Sequence, residues 1–330
     1  AMGAGERLYP PECHLRQTGH AEQTERKSKD NRYTNINMKS IYFIGAGGIG
    51  MSALERYYNK KGYKVGGYDK TPSALTDALV KEGIDIHFED NIDSVAECFK
   101  NPEETIVCYT PAIPDSHGEL TFFRQNGFKV MKRAQILGLL TRDHHGLCFA
   151  GTHGKTTTST MCAHIMHQAS VDCNAFLGGI SKNYKSNYIL APESDYVVIE
   201  ADEFDRSFHW MSVITSTDPD HLDIYGTKEA YLESFRHYTT LIQPGGALII
   251  HRGLEMKAEP QQGVRVYEYS REEGDFHAEN IQIENGEITF DFISPIETVR
   301  GIRLGQPIPI NIDNGIAAMA MAQLNVCTAD

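Results

Sequence analysis

The sequence predicts an α/β protein built from two consecutive units. Short apolar runs alternate with helical segments along the chain, and two glycine-rich turns each follow such a run directly. Alternation of this kind is typical of a parallel sheet with helices on its faces. The length of 330 residues favours two units, because single hydrophobic cores rarely grow beyond about 250–300 residues.

The first unit is predicted to span residues 38–145 and to be Rossmann-like. A G-x-G-x-x-G turn after its first strand lets the backbone approach a phosphate closely. The residues of this turn are Gly45, Ala46, Gly47, Gly48, Ile49 and Gly50. Strands are expected at residues 41–44, 64–68, 85–88, 105–109 and 128–131.

The second unit is predicted to span residues 146–330. Residues 264–310 combine short alternating strands with an Asn-Gly turn at residues 284–287 and several prolines, which indicates an antiparallel β appendage. A last helix is expected from about residue 314 to residue 324. The remaining elements are strands at residues 146–150, 196–199, 211–215 and 247–250 and a helix at about 227–241.

Residues 1–37 differ in character from the rest of the chain. They are polar and mixed in charge, and they lack both apolar periodicity and the hydrophobic segment of a signal peptide. We expect a tag or a disordered leader here, with Met38 as the first native residue. At the other end, a chain that stops just after a helix leads us to expect a further domain downstream.

The composition argues against several classes of protein. The formal net charge is -13, with 31 Lys+Arg against 44 Asp+Glu, and such a surface repels a nucleic-acid backbone. The sequence lacks a run of about 18 apolar residues, so membrane insertion is not expected. Seven scattered cysteines without a C-x-x-C pair are expected to be reduced core residues, which indicates a cytoplasmic protein.

The strongest functional motif is a glycine-rich loop between a predicted strand and a predicted helix. Such a loop turns N–H groups toward phosphate oxygens, and the helix N-terminus adds partial positive charge. Lys155 is expected to reach the β- and γ-phosphates, and the Thr156 hydroxyl to bind Mg²⁺. Ala150 stands where the usual template has its first glycine. The loop predicts a P-loop-type α/β ATPase domain, and a plain strand-to-helix turn is the alternative. Its residues are Gly151, Thr152, His153, Gly154, Lys155 and Thr156.

Two acidic segments follow later strands of the second unit. Residues 200–205 end one apolar strand, and residues 218–223 follow the next. The carboxyl ends of central strands lie beside the phosphate loop in doubly wound sheets, where Mg²⁺ prefers oxygen ligands. We therefore expect a magnesium site here, although an isolated acidic segment is more often a solvated loop.

The first glycine turn leaves the nucleotide open. Asp69 follows the second strand, where NAD-binding proteins have the acidic residue that binds the ribose. Taken alone, this pattern indicates NAD. An NAD-dependent oxidoreductase has no need for the second phosphate loop, so the diphosphate of another nucleotide fits both units better. A turn that packs helix on strand without a ligand is a further alternative, as is a non-catalytic nucleotide-binding module.

Together these motifs resemble the Mur ligases of peptidoglycan synthesis. The family has a UDP-sugar-binding domain, an ATP-binding domain and a C-terminal domain, and the resemblance covers the first two, from Met38 onward. Ser216 stands where many members carry Asn, and a few residues are missing near Trp210. The matching segments are residues 132–137, 151–158, 200–203, 218–223 and 311–318.

The resemblance implies an ATP-dependent ligase that joins the carboxylate of UDP-N-acetylmuramate to L-alanine through an acyl phosphate. ATP and Mg²⁺ are the implied cofactors, and a monomer or weak homodimer is expected. A recycling ligase that joins a tripeptide to the same sugar nucleotide is the alternative within the family. The two domains alone are expected to be inactive.

The resemblance also implies roles for individual residues. For three of these residues another interpretation stays open. Asn311 is alternatively a helix-capping residue, His221 a structural surface residue, and Arg133 a surface residue. The implied catalytic residues are Lys155, Glu200 and His221, and the implied metal ligands are Thr156, Glu200 and His221. The implied ATP contacts are Gly151, Thr152, His153, Gly154, Lys155, Thr156, Thr157, Asn311 and Asn314, the last two to the adenine. The implied UDP-sugar contacts are Gly45, Gly47, Gly48, Ile49, Gly50, Asp69 and Arg133.

Overall fold

Three β-sheets organise the part of the chain that the computed structural model describes, which is residues 38–169, 171–201, 209–219 and 225–325. Two of these sheets carry helices, so the predicted α/β fold class is confirmed. Within the described residues, no helix is both long and apolar enough to cross a membrane.

The first sheet is parallel throughout, in the strand order β3-β2-β1-β4-β5. All five residues of β1 are buried, as expected for a central strand with helices on both faces. The strand order reverses between β1 and β4, and the first glycine turn lies at this switch point. The strands are β1 (Ser40–Ile44), β2 (Lys64–Tyr68), β3 (Asp85–His87), β4 (Thr105–Tyr109) and β5 (Lys129–Lys132). The helices are α1 (Ile49–Lys60), α2 (Ala74–Lys81), α3 (Gly118–Gln125) and α4 (Arg133–Asp143).

The second sheet has the strand order β12-β11-β10-β6-β9-β7-β8. Its central strand β6 pairs in parallel with β9 on one side and with β10 on the other. The strands are β6 (His145–Ala150), β7 (Asn174–Ser181), β8 (Ser186–Ile189), β9 (Tyr196–Glu200), β10 (His209–Ile214), β11 (Ile242–His251) and β12 (Arg265–Tyr269). The helices of this unit are α5 (Lys155–Gln168), α6 (Lys228–Thr239) and α7 (Ile310–Leu324).

A small antiparallel sheet consists of β13 (His277–Glu284), β14 (Glu287–Ile293) and β15 (Thr298–Leu304). The β13–β14 turn has positive φ at Asn285 (52°) and Gly286 (79°). Positive φ at both central residues is the geometry of a tight two-residue hairpin, and Asn-Gly is its preferred sequence. The sequence therefore predicted this turn correctly.

Three details of the sequence prediction were wrong. The β appendage was expected to begin at residue 264, but β12 joins the large sheet in parallel with β11. The β7–β8 hairpin was not predicted, and its antiparallel pairing makes the second sheet mixed. The last helix begins at Ile310 with Pro309 at its N-cap, so Asn311 lies within the first turn and is not the capping residue.

The cysteines follow the prediction with one exception. Cys108, Cys148, Cys162 and Cys173 are buried and free, whereas Cys98 is free but exposed. Cys98 lies in a short 3₁₀ helix between β3 and β4, away from the apolar runs that bury the others. The two remaining cysteines, Cys13 and Cys327, lie outside the described residues.

A buried histidine lies beside a cysteine inside the second sheet. His209 in β10 is fully buried, and its Nδ1 lies 2.9 Å from the Sγ atom of Cys148 in β6. The ring also packs on Tyr238, with 4.7 Å between ring centroids. Burial disfavours the charged imidazolium and lowers the pKa of His209 to about 3.

This shift predicts a pH-dependent stability. The folded state keeps His209 neutral, so its contribution to stability is present above pH 6.5 and is lost as the pH falls toward 3. We expect His209→Phe, which cannot titrate, to lose less stability between pH 7.5 and pH 5 than the parent. The expected difference is about 2 kcal/mol in the free energy of unfolding, measured by urea denaturation. The exposed His237 provides the control, because His237→Gln should retain the parent's pH dependence.

Candidate functional site

The predicted phosphate loop connects the central strand β6 to helix α5. Gly151 has a φ of +132° and Gly154, the N-cap of α5, a φ of +86°. Both values lie where side chains other than glycine are strained. A Cβ atom at Gly154 would lie 2.8 Å from Oδ1 of Asn314, so the loop has no room for a larger residue there. Thr156 and Thr157 are exposed in the first turn of α5.

The end of β10 holds this loop in place. The N–H groups of Thr152 and His153 donate to the carbonyl oxygen of Ser216 (3.1 Å) and to its Oγ (2.8 Å). The hydroxyl of Thr152 donates to the carbonyl of Asp218 (2.8 Å), and that of Thr215 donates to the carbonyl of Ala150 (3.2 Å). Ser216, noted as a departure from the family pattern, therefore supplies a direct contact to the loop.

Lys155, Thr156 and Glu200 come together at the start of α5. The Lys155 ammonium donates to the carbonyl of Gly151, which folds the side chain over the loop. The Thr156 hydroxyl donates to Oε2 of Glu200 at 3.0 Å. A hydroxyl and a carboxylate at this distance are the hard oxygen ligands that Mg²⁺ prefers, so the pair fits the predicted metal.

A glycine that the sequence analysis did not select fixes the orientation of Glu200. The N–H of Gly178 in β7 donates to Oε1 of Glu200 at 2.6 Å. A Cβ at Gly178 would lie 2.6 Å from the carboxylate, whereas a Cβ at Gly179 would meet only the methyl group of Thr156 at 3.4 Å. Consecutive glycines inside an apolar strand indicate close backbone approach, and this signal was available in the sequence.

The first turn of α7 closes the other side of the loop. The hydroxyl of Thr158 in α5 donates to Oδ1 of Asn314 (3.2 Å), and Nδ2 of Asn314 donates to Oδ1 of Asn311 (3.3 Å). The structure therefore brings both predicted adenine contacts to the phosphate loop. Contact with adenine itself stays a prediction.

The buried carboxylate of Asp313 anchors this turn of α7. Oδ1 of Asp313 accepts the Arg271 N–H at 2.9 Å, and the guanidinium of Arg271 lies 2.5 Å from Oδ2. Burial alone would raise the pKa of Asp313, but the nearby His251 ring and the hydrogen bonds from Arg271 hold the pKa below its usual value. The charged carboxylate therefore fixes α7 beside the loop, a role that the sequence analysis missed.

Part of the predicted metal site lies outside the described residues. These residues are Asp202, Glu203, Asp205, Asp220, His221 and Asp223. Within the described ranges, no three His, Cys, Asp or Glu side chains converge as a metal site would require. The geometric argument for a cation therefore rests on Thr156 and Glu200, and the role of His221 stays a prediction.

The first glycine turn is shaped by the end of β2. The N–H groups of Gly45 and Ala46 donate to the carbonyl of Tyr68 at 2.8 and 2.9 Å. Oδ2 of Asp69 accepts the Gly47 N–H at 2.7 Å. Asp69 thus holds the turn itself, and its predicted contact with a ribose stays a prediction.

The first glycine turn has a cation beside it. Gly48 is the N-cap of α1, and Ile49 in its first turn is 54% exposed. A Cβ at Gly50 would lie 2.9 Å from Nη1 of Arg133, the first residue of α4. The structure therefore brings Arg133 to the predicted diphosphate turn, where a helix N-terminus and a guanidinium both favour an anion.

The histidine pair on α5 has structural partners. Nδ1 of His164 lies 2.8 Å from the hydroxyl of Tyr184, and Nδ1 of His167 lies 2.9 Å from Oδ1 of Asp172. Both histidines are half-buried. The two histidines therefore form part of a half-buried helix face.

Comparison with known proteins gives two family matches. The family model described as "Mur ligase family, catalytic domain" matches residues 40–145, and the model "Mur ligase middle domain" matches residues 149–322. The second match covers more than half of the chain.

Two curated relatives share the name UDP-N-acetylmuramate–L-alanine ligase. The chain is 64% identical over 295 residues to a UDP-N-acetylmuramate–L-alanine ligase from Phocaeicola vulgatus, covering 88% of the chain and 64% of the relative. It is 52% identical over 299 residues to the protein of that name from Porphyromonas gingivalis, covering 89% of the chain and 66% of the relative. The chain thus spans just under two thirds of the length of these relatives.

Solved structures show the same fold. The UDP-N-acetylmuramate-alanine ligase of Thermotoga maritima superposes with a TM-score of 0.70 at 24% identity, over 87% of this chain and 65% of that one. The UDP-N-acetylmuramate:L-alanyl-gamma-D-glutamyl-meso-diaminopimelate ligase of Neisseria meningitides gives a TM-score of 0.71 at 22% identity, over 88% and 95%. With family models that match both units, the chain belongs to the Mur ligase family.

Proposed function

We propose that this chain provides the two nucleotide-binding units of an ATP-dependent ligase that joins L-alanine to UDP-N-acetylmuramate. The observation that carries the proposal is the pairing of each phosphate-binding turn with its own cation. Arg133 lies beside the turn at Gly50, and Lys155 lies over the loop that begins at Gly151. The names of the relatives, at up to 64% identity, supply the substrates.

Each substrate has its place in this proposal. The turn from Gly45 to Gly50 and Arg133 hold the UDP diphosphate, so the sugar and its carboxylate extend from the N-terminus of α1. The loop from Gly151 to Thr157 holds the ATP phosphates, and Asn311 and Asn314 contact the adenine. We also propose residues 38–145 as the UDP-sugar-binding domain and residues 146–330 as the ATP-binding domain.

The reaction would take place in two steps. A carboxylate oxygen of the muramate attacks the γ-phosphorus of ATP, the bond to the β-phosphate oxygen breaks, and ADP leaves. The amine of L-alanine then attacks the acyl carbon, loses a proton, and expels inorganic phosphate to leave the amide. Neither step requires a covalent bond to the protein, so catalysis consists of positioning and charge neutralisation.

The side chains around the loop supply this neutralisation. The Lys155 ammonium and the N-terminus of α5 face the charge that develops on the transferring phosphoryl group. Mg²⁺, when bound, neutralises part of the same charge, and Thr156, Glu200 and His221 would hold it. Gly178 orients Glu200 through its N–H. We also propose a cytoplasmic protein that is a monomer or a weak homodimer.

Ligand binding tests the proposed function directly. We expect calorimetry to detect UDP-N-acetylmuramate and a non-hydrolysable ATP analogue, and to detect no binding of NADH. Lys155→Ala should weaken the ATP analogue about 10- to 100-fold, because it removes a charged hydrogen-bond donor to phosphate.

The same variant also tests whether the two sites are separate. Its affinity for the UDP-sugar should equal that of the parent, because Lys155 lies in the second unit. Loss of both ligands together would contradict the two-site arrangement, and binding of NADH in place of the UDP-sugar would favour an oxidoreductase.

The contact between Gly178 and Glu200 gives a prediction about the metal. Gly178→Ala places a methyl group against the carboxylate, so the affinity for Mn²⁺ in the presence of the ATP analogue should fall about tenfold. Electron paramagnetic resonance of free Mn²⁺ measures this affinity. Gly179→Ala is the matched control and should bind Mn²⁺ like the parent, since its methyl group would make an ordinary contact. If Gly178→Ala bound Mn²⁺ as tightly as Gly179→Ala and the parent, this would argue against Glu200 as a metal ligand.

A further inference from the structure

A side chain of the second unit binds the start of the helix that follows the first glycine turn. Nδ2 of Asn187 in β8 donates to the carbonyl of Ile49, the first residue of α1, at 2.9 Å. Asn187 is only 7% exposed. The hydroxyl of Ser52 donates to the same carbonyl at 2.9 Å. The position of this helix start is therefore determined jointly by its own turn and by the other unit.

Further contacts fix the rotation of α1 against the β7–β8 hairpin. The guanidinium of Arg56 lies 5.2 Å from the ring centroid of Tyr188, and Glu82 holds it by two hydrogen bonds of 2.7 and 2.8 Å. The ring of Tyr57 packs edge-on against Phe176, with 5.8 Å between centroids. Contacts at Ile49, Arg56 and Tyr57 span more than two helical turns. They therefore fix both the position and the rotation of α1 on the hairpin.

The same hairpin reaches the ATP site at its other strand. Gly178 in β7 donates to Glu200, and the neighbouring Gly179 lies against Thr156. Residues 174–189 therefore contact both the helix that begins at the diphosphate turn and the carboxylate beside the phosphate loop. Strand β7 also pairs in parallel with β9, the strand that ends at Glu200, so the second sheet connects the two contact points.

We infer that Asn187 is a positioning residue that sets the separation between the two nucleotide sites. The inference rests on the proposed function, in which the muramate carboxylate and the γ-phosphate meet although different units bind them. Reacting atoms must lie about 3–3.5 Å apart for efficient transfer, so a small displacement of α1 would remove the carboxylate from reach. Asn187 acts through α1 and not on the reacting atoms.

The test measures how strongly one ligand affects binding of the other. Both ligands bring negative charge, and two unit charges about 4 Å apart in water change each other's affinity about fivefold. In the parent, saturating ATP analogue with Mg²⁺ should weaken UDP-N-acetylmuramate by about this factor, measured by calorimetry. Asn187→Leu removes the donor at similar size, and Asn187→Asp replaces it with an acceptor. In either variant the two ligands should bind independently, within about twofold.

The control separates this role from a purely structural one. Ser186→Ala removes a hydrogen bond within the same hairpin, from the Tyr188 N–H to the Ser186 hydroxyl (3.2 Å), and should retain the parent's coupling. Each ligand alone should bind the Asn187 variants with parental affinity.

Three results would overturn the inference. They are independent binding in the parent, parental coupling in whichever Asn187 variant folds, and equal loss of coupling in Ser186→Ala. Failure of the parent to bind UDP-N-acetylmuramate at all would instead overturn the proposed function.

Discussion

Parallel pairing of β6 between β9 and β10 is the constraint on which the ATP site depends. Strands that run in parallel end at the same edge of a sheet, so the loop after β6 lies between Glu200 at the end of β9 and Ser216 just beyond β10. These three chain segments are separated by about 50 and 16 residues in sequence, and only the sheet brings them together. In the proposed function the carboxylate is a ligand of Mg²⁺, and the serine supplies the contacts that hold the loop.

The first unit has a similar arrangement at its proposed diphosphate site. Its glycine turn also follows a central strand at a switch point, but the cation beside it is a guanidinium and not a lysine within the loop. Arg133 reaches the turn because α4 begins directly after the edge strand β5. The net charge of the chain is -13, so the phosphates of both proposed ligands would be held by local cations and backbone N–H groups.

The sequence was most informative where a local pattern determines a local structure. Gly151, Gly154 and Lys155 lie in one short segment, and the requirement for positive φ at the glycines is visible in the residue types. The Asn285-Gly286 turn was predictable for the same reason. Asn311 and Asn314 came from family resemblance, and spacing alone did not reveal that they would meet the loop.

The misses involve partners that are distant in sequence. Strand β12 alternates like an appendage strand, and only its pairing with β11 shows that it belongs to the large sheet. Strand β7 contains two glycines, which weakened the strand pattern, although close approach of Gly178 to Glu200 requires one of them. The contact of Asn187 with Ile49 joins residues 138 positions apart, so no local pattern could have indicated it.

The hydrogen bonds from Thr152 and His153 to Ser216 would affect the entropy of the proposed nucleotide binding. Ordering the backbone of one residue costs about 1–2 kcal/mol at room temperature, so a free loop of four residues would cost roughly 4–8 kcal/mol to order. In this protein the loop becomes ordered when the chain folds, because the segment that follows β10 already holds it. The proposed nucleotide would therefore bind a loop that is already ordered, without this entropic cost and without a loop-closure step.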